Sequence, residues 1–382
     1  MKPRNETERL SNPYNDDKVM AACSIFGMMD ISGKAVPGGD VIRAIANMHD
    51  RSNGLGGGFA VYGIYPEYAD CYAFHVMYPN NETRSDVERY LIKSFAIVHS
   101  EEIPTQPAPH IQDPPLVWRY FLLVDSDQRG EQSEEEYVFD RVMTLNTSFP
   151  GALVFSSGRN MGVFKGVGYP EEIAHFFHLE DYKGYLWTAH GRFPTNTRGW
   201  WGGAHPFSIL DWSVVHNGEI SSYGTNRRYL EMFAYQCTMQ TDTEVVAYAV
   251  DLLVRRHGLP IELAAKVFAP PLWKQIDYAS QDERTLLTML RQTYSSLLLN
   301  GPFSVIIARQ GEMIGLTDRV RLRPLTAATK GDLLFLSSEE SAIRLVCPDV
   351  ETAWTPMGGE PIIGRLRESL PLPKENLEVA VA

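Results

Sequence analysis

Nine short runs rich in β-branched and aromatic residues, at 22–29, 58–64, 72–78, 116–124, 152–156, 184–192, 207–216, 303–308 and 332–337, are interleaved with five stretches of helical periodicity, at 85–94, 134–147, 227–236, 242–256 and 282–293. A chain patterned in this way buries its apolar faces only by stacking sheet against helix, so an α+β fold follows. The length of 382 residues suits two or three ordinary domains, or one large domain carrying an insertion. From about 70 to 160 the order reads strand, helix, a possible strand at 95–103, strand, helix, strand. That is the order of a ferredoxin-like split βαβ unit, and it marks this stretch as an inserted lobe.

Punctuation supports the element assignments. Ser133 with Glu136, and Thr241 with Glu244, are capping-box pairs that open helices at 134 and 242. Arg255, Arg256 and His257 fill the last turn of the second helix, with Gly258 beyond it. The segments 103–115 and 198–206 hold too many breakers for helix or strand and read as loops.

Composition removes several function classes. Hydrophobic residues make up 44% and charged residues 21%, the balance of an ordinary globular protein rather than a disordered, collagen-like or coiled-coil chain. The 35 basic and 47 acidic side chains leave a net charge of −12, which argues against nucleic acid or an anionic membrane as partner. No apolar run approaches the ~18 residues that span a bilayer. Residues 1–22 lack the apolar stretch of a secretory signal, so a cytoplasmic protein is expected. The four cysteines, Cys23, Cys71, Cys237 and Cys347, form no CxxC pair, which gives neither a local zinc or iron–sulfur signature nor a disulfide framework.

The glycine-rich segments fail as phosphate cradles. From Gly27 to Gly33-Lys34-Ala35 the spacing is one residue too long and lacks the hydroxyl that would hold magnesium, and Gly54-Leu55-Gly56-Gly57-Gly58 precedes a strand instead of a helix. Both read as turns. His175 and His178 have no third metal ligand in reach by sequence, so a structural role is expected and no metal. Arg192 closes an apolar strand before a Pro-containing turn, where a guanidinium either pairs at the surface or grips a ligand carboxylate. Asn217-Gly218 reads locally as a hairpin turn, or else as an amide and an N–H aimed at one oxygen. Asp242 stands in the first turn of a helix, where the dipole alone justifies an acid. Cys23 opens an apolar strand, the ordinary place for an inert thiol, but the polar stretch 1–22 before it reads as a leader whose removal would make Cys23 the first residue.

Taken in order, Cys-Ser-Ile-Phe-Gly from 23, His-Gly-Arg-Phe-Pro-Thr-Asn from 190, His-Pro-Phe from 205, His-Asn-Gly-Glu-Ile from 216 and Thr-Asp-Thr-Glu from 241 resemble the class II glutamine amidotransferases. The variety resembles the amidotransferase domain of glutamate synthase, here as a free-standing chain. Looser support comes from Arg51-Ser52-Asn53-Gly54, Asn300-Gly301-Pro302-Phe303, Leu316-Thr317-Asp318-Arg319 and Ser337-Ser338-Glu339-Glu340.

The resemblance implies an N-terminal-nucleophile (Ntn) hydrolase with a four-layer αββα sandwich over 23–382, preceded by a removable leader at 1–22. It implies that Cys23 attacks the side-chain amide of L-glutamine and uses its own α-amine as base, with Asn217 and Gly218 holding the oxyanion. It assigns the substrate α-carboxylate to Arg192 and the α-ammonium to Asp242, with Arg51 and Asn196 as looser members of the site. His190, His205 and His216 are left to structural hydrogen bonds. The chain has no ligand spacing for a flavin or cluster and is expected to bind no cofactor. By analogy, ammonia would pass to a separate flavin and iron–sulfur synthase subunit making glutamate, or to a relative such as N-methylglutamate synthase. Two alternatives remain open: a regulatory or scaffolding subunit whose leader stays in place, and another Cys-type N-terminal hydrolase acting on a linear amide.

Overall fold

In a computed structural model, the structure describes residues 22–193 and 199–367. Seven antiparallel strands form one sheet, in the spatial order Thr352–Trp354, Thr326–Lys330, Leu333–Ser337, Ser24–Asp30, Leu186–Gly191, Gly57–Tyr62 and Met161–Gly166. A second sheet holds five, in the order Phe207–Ile209, Trp212–Gly218, Phe303–Arg309, Glu312–Thr317 and Ile362–Arg365. The two sheets face each other with little room to spare. A Cβ on Gly27 would sit 2.9 Å from Met313 Sδ and 3.2 Å from Ile306 Cδ1, so glycine permits the close approach there.

Helices cover both outer faces. Gly39–Ala46, Pro170–Phe176 and Glu340–Val346 pack on the larger sheet, and Asp242–Asp251 packs on Trp212–Gly218 and Phe207–Ile209. The layers are therefore helix, sheet, sheet, helix, the expected αββα order. Thr243 through Asp251 are all buried, because Tyr223–Glu231 closes over the other side of that helix.

The segment between Gly57–Tyr62 and Met161–Gly166 folds on a third, four-stranded sheet. Its order is Ala96–Glu102, Leu116–Leu123, Tyr72–Tyr78, Leu153–Ser156, and each neighbouring pair is antiparallel. Helices Asn81–Ser94 and Glu134–Ser148 make the two crossovers, as a split βαβ unit requires.

Several local expectations change. The run 207–216 is two strands joined by a tight turn at Leu210-Asp211, with Leu210 at φ 49°, a conformation that a Leu side chain does not advertise. Asn217-Gly218 is no hairpin turn: both residues end a strand and pair with Ser304 and Phe303. Helix 227–236 begins earlier and stops sooner, at Tyr223–Glu231. The helix from Asp242 passes at Leu252–Arg256 into a π turn before Gly258, at φ 67°. Only half of each capping box forms. Ser133 Oγ and Thr241 Oγ1 accept the expected N–H at 3.2 Å, but Glu136 turns to two arginines and Glu244 Oε2 accepts from Met239 N–H at 3.0 Å.

Candidate active site

Strand register brings the site together at one end of both sheets. Ser24 pairs with Gly191, so Cys23 and Arg192 lie side by side just beyond two neighbouring strands. Phe26 pairs with Ser337, which sets Ser338 on the other flank of the Cys23 strand. Asn217 comes from the facing sheet and is fully buried. Asp242 is the first residue of the helix on that sheet, and its Oδ2 accepts from the Ile220 N–H at 3.0 Å.

Cys23 is half-buried, and its Sγ accepts from the Phe193 N–H at 3.4 Å. Burial pushes the thiol above its ordinary range. The Phe193 N–H and the Arg192 guanidinium pull it down, Asp242 pushes it up, and Arg323 pulls it down. Asp242 and Arg192 thus act on the sulfur with opposite charge. Burial raises the Asp242 carboxyl, yet His216, the Ile220 N–H and Thr243 together hold it below the usual carboxylate range. It is therefore ionised at neutral pH.

The backbone of Arg192 is fixed on both sides. Its N–H donates to Gly56 O at 2.9 Å, and its carbonyl accepts from Ser52 Oγ at 3.2 Å and Asn53 N–H at 3.3 Å. A Cβ on Gly56 would come within 3.0 Å of Arg192 Cδ, so the glycine leaves room for the guanidinium stem. Arg51 touches the nucleophile's backbone: its Nε donates to Cys23 O at 3.2 Å, and its Nη1 pairs with Glu339 Oε1 at 2.8 Å. Asn196 lies outside the described residues, as does the stretch 1–21 that contains nearly all of the expected leader.

The three histidines form a buried layer behind these groups. His190 Nε2 lies 2.9 Å from His216 O, and its ring stacks on His205 with centroids 3.9 Å apart. Burial pushes His190 down to about 3 and His205 well below its ordinary range, so both are neutral. His205 and His216 converge on Thr243, whose Oγ1 is 2.8 Å from His205 Nε2 and 3.1 Å from His216 Nδ1 while donating to Asp242 Oδ1 at 3.3 Å. One proton and two lone pairs are thereby all used. His175 bonds the side chain of Gln106 through its Nδ1 at 3.1 Å.

Four groups at the site carried no assigned role in the sequence reading: Phe193 N–H, Thr243, Arg323 and Ser338. Thr243 and Ser338 stand inside quoted motifs, but their partners His205, His216, Asn217 and Ile25 lie 27 to 313 residues away and no local pattern shows them. Arg323 precedes an edge-side strand in an arginine-rich loop and carries no signal of its own.

What the arrangement offers is a thiol beside an N–H donor, a buried primary amide from the facing sheet, and one fixed charge of each sign. The family model of the class II glutamine amidotransferases matches residues 111–363, more than half of the chain. The chain belongs to that family. The matched span includes Arg192, Asn217, Gly218 and Asp242 and begins after Cys23 and Arg51. An uncharacterized protein of Archaeoglobus fulgidus is 58% identical over 92% of this chain and 94% of its own length. The large chain of the NADPH glutamate synthase of Bacillus subtilis is 26% identical over 60% of this chain, and the match covers 16% of that protein. Among solved structures, the glutamine phosphoribosylpyrophosphate amidotransferase of B. subtilis aligns with a TM-score of 0.45 at 15% identity, over 90% of this chain and 47% of that one.

Proposed function

We propose that this chain hydrolyses the side-chain amide of L-glutamine through Cys23 exposed at a processed N-terminus, and passes the ammonia to a separate synthase subunit. The observation that carries the reading is the pair of opposite charges acting on one sulfur, Arg192 and Asp242, which suits the α-carboxylate and α-ammonium of a free amino acid. A peptide-bound glutamine offers neither charge.

Burial leaves the Cys23 thiol protonated at neutral pH, so the nucleophile needs a base. No histidine meets the sulfur among the hydrogen bonds of the described residues. Removal of residues 1–22 would supply a base within the same residue, because a free α-amine titrates near pH ~8. The amine takes the thiol proton and sulfur attacks the amide carbon. The oxyanion is held by Asn217 Nδ2 and the Gly218 N–H, each worth about 3 kcal/mol in the transition state. Collapse expels ammonia, carrying the proton from the amine, and leaves a thioester. Water then releases glutamate and restores the thiol. Arg51, bonded to the Cys23 carbonyl, holds the nucleophile's backbone during both halves.

The partner is read from the kinship with glutamate synthase: a flavin and iron–sulfur subunit that consumes the ammonia. Mass spectrometry of active protein purified from its source should show a chain beginning at Cys23. An intact N-terminus in protein that hydrolyses glutamine would refute the terminal-amine mechanism. In the assembled complex, Cys23→Ala should abolish glutamine-dependent synthesis and spare ammonia-dependent synthesis.

A further inference from the structure

Ser338 is 3% exposed and joins the two sheets at the floor of the site. Its N–H donates to Ile25 O at 3.0 Å, and its Oγ accepts from the Ile25 N–H at 3.2 Å, so both polar groups of the residue two places after Cys23 are tied to it. The same Oγ accepts from Asn217 Nδ2 at 3.3 Å across the sandwich. Asn217 is 0% exposed, and its Oδ1 has no hydrogen-bond partner among the described residues. The Ser338 hydroxyl is therefore the described contact that anchors the amide to the Cys23 strand.

An asparagine side chain is nearly symmetric in shape, and flipping it exchanges a donor for an acceptor. With Oδ1 toward the developing oxyanion, the amide would repel the charge that it is meant to hold. One N–H of Nδ2 is spent on Ser338 Oγ, which leaves the second for the substrate oxygen. Because Ser338 also grips Ile25, the same atom sets the distance between the nucleophile's strand and the oxyanion donor. Preorganisation of this kind is what makes an oxyanion donor effective.

We propose that Ser338 is a positioning residue for catalysis: it anchors the Asn217 amide at a fixed place and in register with the Cys23 strand. The inference rests on the glutamine-hydrolysis reading above. Its signature is a loss in kcat at constant KM, since Ser338 touches neither of the charges assigned to the amino-acid end of glutamine.

The test is a double-substitution cycle on the processed enzyme. Ser338→Ala should lower kcat at least tenfold, with KM changed less than twofold and thermal unfolding showing a folded protein. In an Asn217→Ala background the same change should cost less than twofold, because the amide through which Ser338 acts is gone. Ser338→Thr, which keeps the hydroxyl, should recover most of the rate. Where Ser338→Ala does not fold, Ser338→Cys carries the same cycle. Wild-type kcat in Ser338→Ala, or losses that multiply with those of Asn217→Ala, would overturn the inference. The underlying reading fails separately, if Cys23→Ala still hydrolyses glutamine.

Discussion

Thr243 shows how much a single hydroxyl orders in this molecule. Its proton goes to Asp242 and its lone pairs to His205 and His216, so removing it leaves the buried His205 Nε2 without its partner, His216 Nδ1 with only Asp242 Oδ1 at 3.6 Å, and Asp242 without one of its donors. Thr243→Val keeps the shape and should cost about 1–3 kcal/mol of stability, as unsatisfied buried polar groups do. Because Asp242 loses a donor that holds its carboxylate, the variant should raise the KM for glutamine more than it lowers kcat. A steady-state comparison checks that split. The neighbouring Glu244 makes a pH prediction. Burial pushes it up to about 7, against bonds from Met239 N–H and Tyr248. The folded state then binds its proton more tightly than the unfolded state does. Stability from this group should fall as pH rises from the ordinary carboxyl range to about 7, then level off. Glu244→Gln should flatten that slope in urea titrations run between pH 5 and 8. At this scale Cys23, Arg192, Asn217 and Asp242 stand out in the sequence only through the order of their motifs, since each taken alone has an ordinary structural reading. Thr243 and Ser338 act through contacts made by folding, and their types alone say nothing.

At the scale of elements, strands with steady β-branched content were legible, and so were long periodic helices such as Gln281–Thr293. Short helices were not. Gly39–Ala46 follows the breakers Pro37 and Gly38, and its eight residues hold too few repeats for helical periodicity to show. Glu312–Thr317 carries a glycine in mid-strand, at Gly315, where the opposite sheet leaves no space: a Cβ there would meet Leu336 Cδ1 at 3.0 Å. Asn217-Gly218 reverses the local logic of an Asn-Gly pair, since the strand continues through it and the glycine serves close packing. At φ 143° a Cβ on Gly218 would stand 2.0 Å from Pro302 O, a backbone atom that cannot swing aside. Gly218→Ala should therefore cost at least about 2 kcal/mol and disturb the adjoining Asn217. Gly39→Ala, in a helix with nothing within 4 Å of the added carbon, should stabilise by up to about 1 kcal/mol. Urea unfolding of the two variants compares them directly.

At the scale of the whole molecule, the lobe built on the four-stranded sheet is joined to the two facing sheets by a charge network that opens at a helix start. Glu136, in the first turn of Glu134–Ser148, accepts from Arg255 and Arg256 at 2.7 Å each, and Arg255 also grips the fully buried Asp251. Asp251 accepts from Tyr235 OH at 2.6 Å, so the network runs from the lobe into the helix that begins at Asp242. In the sequence the acidic run 134–136 looks like a solvated helix start, because its two arginine partners lie about 120 residues away. Burial raises the Glu136 carboxyl, but its bonds to Arg256 and Arg255 outweigh that and hold it below the ordinary range. A lowered carboxyl stabilises above its unfolded value and loses that contribution as pH falls through the folded one. Acid should therefore loosen the lobe junction while Arg192 keeps its charge. Glu136→Ala imposes the same loss at neutral pH and leaves two half-buried guanidinium groups short of a partner. Deuterium uptake should rise in 134–148 and 252–256, and glutamine hydrolysis should stay within twofold of wild type, since none of the described contacts of this network reaches Cys23. A large fall in kcat would instead show that the lobe and the site are mechanically coupled through the helix that carries Asp242.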